Sequence, residues 1–138
     1  MSPPGPSGGA HNIEPALLYS VICDDVRRED NGKFILIGLF ETIGAREFPA
    51  AHPTLFIING WIAGAGKFSQ YSRILDPAGH ELARDRETLF ELANLKSRHS
   101  VIARFNNLEL PQPGEYAVEV LLNGDLKVRY PLVVEQVG

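Results

Sequence analysis

The side chains that could do chemistry here are few, and their spacing argues against most of the reactions they suggest. Gly64-Ala65-Gly66-Lys67 invites comparison with a phosphate-binding loop. That loop requires glycine at position 61 and serine or threonine at 68, where this chain has Trp61 and Phe68. The segment reads as a glycine-rich turn between strands. Asp24, Asp25 and Asp30 form the densest acidic cluster and are the nearest approach to a calcium site. Neighbouring aspartates on an extended chain point to opposite faces, and Arg27 and Arg28 sit among the acids as internal counter-ions. An ion-paired strand end is the expectation.

His11, His52, His80 and His99 include no short-range ligand pair, and the single cysteine leaves no zinc set to complete. Cys23 is followed directly by two aspartates, whose charge opposes the thiolate, so it reads as a small buried hydrophobe. Trp61 and Tyr71 could stack on a glycan, but Trp61 lies in an almost wholly apolar run and is expected in the core. With no acid/base or nucleophile constellation, the expectation is a protein that is not an enzyme and has no catalytic residues, metal or cofactor.

The rest of the chain must therefore be read for what it builds. Its 138 residues fit one domain, and 17 acidic against 13 basic side chains give a net charge of −4. No basic run offers a footprint for nucleic acid, and the longest apolar runs, such as Phe34–Phe40, are too short to span a bilayer. One cysteine cannot form an internal disulfide, and the N-terminus shows no secretory pattern, so a reducing cytoplasmic setting is expected. Residues 1–14 begin with a Pro/Gly/Ser-rich stretch that has little to bury and are expected to be a disordered tail. Residues 15–138 then form the single domain.

Eight runs rich in β-formers follow: 17–26, 33–43, 54–63, 67–76, 81–92, 99–107, 115–122 and 126–135. Turn chemistry separates them, with Asp30-Asn31-Gly32, Asp76-Pro77-Ala78-Gly79 and Pro111-Gln112-Pro113-Gly114 as the clearest cases. This spacing predicts an all-β, two-layer antiparallel sandwich of about eight strands, Ig-like or C2-like. Residues 88–96 show near-helical spacing, but the charged stretch before them reads better as a polar edge strand.

The last hairpin permits a register prediction. A two-residue Asn123-Gly124 loop would set Val120 against Lys127 and Val118 against Arg129, which mixes apolar and charged residues on one face. Including Asp125 in the loop pairs Leu122 with Leu126, Val120 with Val128 and Val118 with Tyr130, and sets Glu119 beside Arg129. Because the buried face fixes register, the longer loop is predicted.

Two runs break the alternation that a half-buried strand should show. Phe34–Phe40 is apolar at nearly every position, and so is much of Leu55–Ile62. In a two-layer fold one side of each would face water, which marks an interaction surface unless the chain covers itself. Phe34, Leu36, Phe40, Phe56, Ile58 and Ile62 are the candidate residues.

The segments Cys23-Asp24-Asp25-Val26-Arg27, Ile37-Gly38-Leu39-Phe40, Leu75-Asp76-Pro77 and Leu110–Tyr116 resemble a family of small bacterial β-sandwich proteins known only as a domain of unknown function. The resemblance spans most of residues 16–134 and implies a fold without supplying catalytic residues. The functional expectation is a non-catalytic interaction module that associates with itself or another protein. The alternative is a ligand-binding sandwich, taking calcium at Asp24/Asp25/Asp30 or a glycan near Trp61/Tyr71.

Overall fold

The computed structural model describes residues 12–138. Ten strands run in chain order: β1 (Ala16–Arg28), β2 (Phe34–Leu39), β3 (Thr42–Ala45), β4 (Ala50–Ile62), β5 (Gly66–Leu75), β6 (Glu81–Arg84), β7 (Thr88–Leu92), β8 (Arg98–Leu110), β9 (Gly114–Leu122) and β10 (Asp125–Gln136). They form two sheets, one ordered β2-β1-β4-β8 and the other β3-β10-β9-β5-β6, with β7 also on β5. The fold is an all-β sandwich. Eight runs become ten strands because two of them are broken. The 33–43 run crosses from one sheet to the other at Phe40-Glu41, so β2 lies on β1 while β3 lies parallel to β10. The 81–92 run divides at Asp85–Glu87 into β6 and β7, both antiparallel to β5. Residues 88–92 are strand, not helix.

The core follows the period-2 rule. Leu55, Ile57 and Trp61 of β4 and Val101, Ala103 and Phe105 of β8 meet Ile74 of β5, Val118, Val120 and Leu122 of β9, and Leu132 of β10. A buried polar group crosses this apolar layer: Asn59 Nδ2 donates to Gln70 Oε1 at 2.9 Å and to Ser72 Oγ at 2.8 Å. Trp61 Nε1 donates to the same Gln70 oxygen at 3.2 Å. Side-chain amides in a dry interior are costly unless bonded, so these contacts fix how β4 sits over β5.

Hairpin β9–β10 shows how register is chosen. Its tip is the two-residue turn, with Leu122 opposite Asp125 and Leu126 opposite Leu121, against the longer loop expected. A bulge between Leu126 and Val128 then restores the expected pairs Val120–Val128, Val118–Tyr130 and Glu119–Arg129. Turn chemistry sets the tip at Asn123-Gly124, both at positive φ (50° and 85°), and burial sets the rest; the bulge reconciles them.

The expected tail 1–14 falls outside the described residues as far as position 11. Beyond that it is corrected. Ile13 exchanges backbone hydrogen bonds with Ala65, and Glu14 pairs with Lys127 at 2.7 Å, so this stretch is tied to the sandwich.

Candidate interaction surface

The two sheets finish their solvent faces in different ways. On the outer face of the β3-β10-β9-β5-β6 sheet, Glu119 sits beside Arg73 of β5 and Arg129 of β10 in the ladder. Its carboxylate accepts from Arg73 at 2.7–2.8 Å and from Arg129 at 3.1 Å, and it is 3% exposed under their side chains. Arg73 also reaches Glu81 at 3.3 Å, and Arg84 donates to both Glu81 oxygens at 2.8–2.9 Å. The Arg84 side chain hydrogen-bonds the Glu81 carboxyl, and this, ahead of Arg73, holds it below its ordinary range. The Arg84 guanidinium lies 4.6 Å from the centre of the Tyr71 ring. Tyr71 and Leu121 on this face are thus buried among the chain's own charges, while Leu89 of β7 and Leu126 of β10 stand exposed on it.

The outer face of the β2-β1-β4-β8 sheet has no such network of charges. Register places Tyr19, Val21 and Cys23 of β1 beside Gly60, Ile58 and Phe56 of β4, and Ile58 beside Ile102 of β8. On the far side of β1, Leu39 pairs with Cys23, Ile37 with Asp25 and Ile35 with Arg27. Ile35, Ile37, Leu39, Tyr19 and Ile102 are exposed, Leu39 to 61%. The polar groups here are the Asp25–Arg27 pair at 2.8 Å, a Tyr19–Ser100 hydroxyl contact at 3.0 Å, Thr54 on Asn106 at 3.3 Å, Arg98 opposite Ile62, and Arg104, which donates to Asn106 at 3.0 Å and lies 5.7 Å from the Phe56 ring centre. Gly60 permits this packing, because a Cβ at that position would run into the Tyr19 ring.

This geometry revises the six residues chosen from sequence. Phe56, Ile58 and Ile62 have outer-face parity, although Ile58, between Val21 and Ile102, is only 1% exposed and forms the floor. Phe34 and Leu36 have the opposite parity, pairing with Arg28 and Val26. Phe40 turns inward and packs against the main core as the chain crosses between sheets. The residues that β2 presents on this face are Ile35, Ile37 and Leu39. Only a one-residue phase separates the two sets, and an unbroken apolar run carries no phase information. The usable signal was the Asp30-Asn31-Gly32 turn, which sets Glu29 opposite Lys33 (N–H to O, 2.8 Å) and thereby fixes the parity of β2 against β1.

The other candidates resolve individually. Trp61 is fully buried and stacked 5.9 Å from Phe90, so its ring cannot receive a glycan, and Tyr71 is buried beneath Arg84. Asp25 is committed to Arg27 and to the Val26 amide; the Arg27 bond, first, pulls its carboxyl low. Asp24 and Asp30 are exposed, and no group of three His, Cys, Asp or Glu residues gathers for a metal among the described residues. His52 lies against Phe40, His80 beside Asp76 and His99 on Phe90, in three separate places, while His11 falls outside the described residues. Cys23 is buried; desolvation, first, pushes its thiol pKa up, and its Sγ donates weakly to the Asp25 carbonyl at 3.4 Å. Gly66 opens strand β5, with no helix to aim amides at a phosphate. A cleft of about 770 Å³ lies where the chain changes sheets, lined in part by Ser20, Leu39, Phe40, Glu41, Tyr130 and Pro131.

The sandwich recurs in solved structures at low identity. The alkylpurine DNA glycosylase AlkC of Pseudomonas fluorescens, bound to DNA containing an abasic-site analogue, matches with a TM-score of 0.50 and 13% identity over 89% of this chain. The match spans only 31% of that glycosylase chain. An immunoglobulin-like protein from Pseudomonas aeruginosa matches with a TM-score of 0.40 and 13% identity, covering 92% of this chain and all of its own. None of the curated proteins matches by sequence. A family model does match, over residues 18–135, and takes in every strand but the ends of the first and last; the chain belongs to the family of unknown function DUF6941.

Proposed function

We propose that this chain is a non-catalytic β-sandwich module that acts through protein contact, associating with itself by the outer face of the β2-β1-β4-β8 sheet. One observation carries the reading. Of two outer faces built by the same chain, one carries an ion-pair lattice at its middle, and the other presents Ile35, Ile37 and Leu39 in a row along β2, with Tyr19 and Ile102 on β1 and β8, to water. Contiguous apolar surface of this kind marks association sites, whereas scattered exposed residues do not. The lone buried thiol suits a reducing cytoplasmic setting. DNA binding does not carry over from the glycosylase, because an acidic excess of −4 gives phosphate no attraction.

Light scattering coupled to size exclusion, run across a concentration series, tests the reading. The expected result is a mass above that of the monomer that falls on dilution and falls further in Leu39→Lys. A monomer at every concentration would overturn it.

A further inference from the structure

We infer that the cleft where the chain changes sheets binds a small organic cation, a protonated amine on an apolar body that carries an oxygen at its far end. The site shares Leu39 with the sheet face proposed for association but does not depend on that association. It exists because the 33–43 run changes sheets before either ladder is complete. β2 covers β1 only from Cys23 to Arg28, and β3 covers β10 only from Val133 to Gln136. Ahead of both, Ser20 of β1 and Tyr130 of β10 line an open space of about 770 Å³. That volume lies within the roughly 300–1,000 Å³ typical of sites for small organic molecules. The crossover is anchored to both sheets. The Phe40 N–H donates to the Ile22 carbonyl at 3.1 Å, and the Glu41 carbonyl accepts from the Val133 N–H at 3.2 Å. The walls are therefore in place before a ligand arrives, and little affinity is lost to ordering them.

Three features of the lining define the ligand. Val21, Ile22, Leu39, Phe40, Pro131 and Val133 make the walls apolar, with Phe40 held against the main core. Ser20 and Tyr130 meet hydroxyl to hydroxyl at 2.8 Å. Two hydroxyls carry two protons and this contact uses one, so the second has no protein acceptor among the described residues and is left for an oxygen in the cleft. Burial, ahead of the Ser20 bond that opposes it, pushes the Tyr130 hydroxyl above its ordinary range and keeps it a donor at neutral pH. Glu41 is the one charged residue of the lining, exposed and in no ion pair among the described residues. Lys127 and Arg129, the cations on the uncovered part of β10, are already held by Glu14 and Glu119. An anion beside an apolar cleft, with no cation of its own chain to meet it, favours an ammonium group and opposes a carboxylate.

Three probes that differ by one group each test the assignment in an amide-resolved NMR titration of the full chain. Tyramine offers the ring, the hydroxyl and the ammonium; phenethylamine lacks the hydroxyl; desaminotyrosine carries a carboxylate in place of the ammonium. Tyramine should shift the amides of Ser20, Ile22, Glu41 and Val133 saturably. Phenethylamine should bind about threefold more weakly and desaminotyrosine about tenfold more weakly. Glu41→Gln should weaken tyramine about fivefold and bring desaminotyrosine close to it. Ser20→Ala/Tyr130→Phe removes both hydroxyls and keeps both shapes, so it should erase the difference between tyramine and phenethylamine with the fold intact. Desaminotyrosine binding as tightly as tyramine, tyramine indifferent to Glu41→Gln, or a double variant that still prefers tyramine would overturn the assignment. So would shifts confined to Ile35, Ile37 and Ile102 on the sheet face, or no saturable shift with any probe. Each outcome is read alike on a monomer or a dimer, so failure here leaves the association reading standing.

Discussion

Two solvent faces of one sandwich, each crossed by long strands, are completed by different means. The face around Glu119 spends five charged side chains, Arg73, Glu81, Arg84, Glu119 and Arg129, on covering its own apolar groups. The face around Ile58 carries Asp25, Arg27, Arg98 and Arg104 without a shared lattice, and Ile35, Ile37 and Leu39 meet water beside them. Both faces could have been built either way from the same backbone, because side chains on the outside of a sheet are not constrained by the core. The difference therefore bears on what the faces do. In the proposed reading the ion-paired face contributes to stability and the apolar one to association.

The largest expected effect falls on the self-covered face. Glu119→Ala leaves the Arg73 and Arg129 guanidiniums without their shared acceptor and should cost about 2 kcal/mol in urea unfolding, below the cost of breaking a fully buried pair because both arginines retain water contact. It should leave the oligomeric state alone. Ile37→Lys on the other face should do the reverse, changing monomer stability by less than about 0.5 kcal/mol while abolishing self-association in light scattering. Equal stability losses in the two variants would erase the distinction.

Two smaller effects sharpen it. Arg104→Ala removes the cation lying over Phe56 and should strengthen self-association by a few-fold, read from the concentration dependence of the sedimentation coefficient. On the opposite face, Glu81 titrates below its ordinary range in the folded chain, first because of its hydrogen bonds from Arg84 and then through Arg73. A depressed folded pKa means this contribution is complete above the unfolded carboxylate value of about 4.3 and is lost as pH falls through the folded value. Urea midpoints should drop at acid pH, and Glu81→Gln should flatten that drop.

The sequence made the architecture legible wherever burial alternated or a turn had fixed chemistry. Val118, Val120, Val128 and Tyr130 gave the β9–β10 register because charged neighbours supplied the phase, and Trp61 was read as core from its almost wholly apolar run. Phase was lost in Phe34–Phe40, where every residue is a candidate for either face, so Phe34, Leu36 and Phe40 stood in for Ile35, Ile37 and Leu39. The crossover at Phe40-Glu41 was invisible for the same reason: a run of β-formers does not record which sheet it joins. The Glu119–Arg129 pair was accessible from hairpin register, but Arg73 joins it from 46 residues away through a β5–β9 pairing that local pattern cannot specify.

Sedimentation velocity of the wild-type chain beside Ile37→Lys and Arg84→Ala, each over the same concentration range, tests the central claim most directly. The account predicts a reversible dimer for the wild type and for Arg84→Ala, and a monomer for Ile37→Lys. A wild-type monomer throughout, or a dimer that survives Ile37→Lys and dissociates in Arg84→Ala, would contradict it.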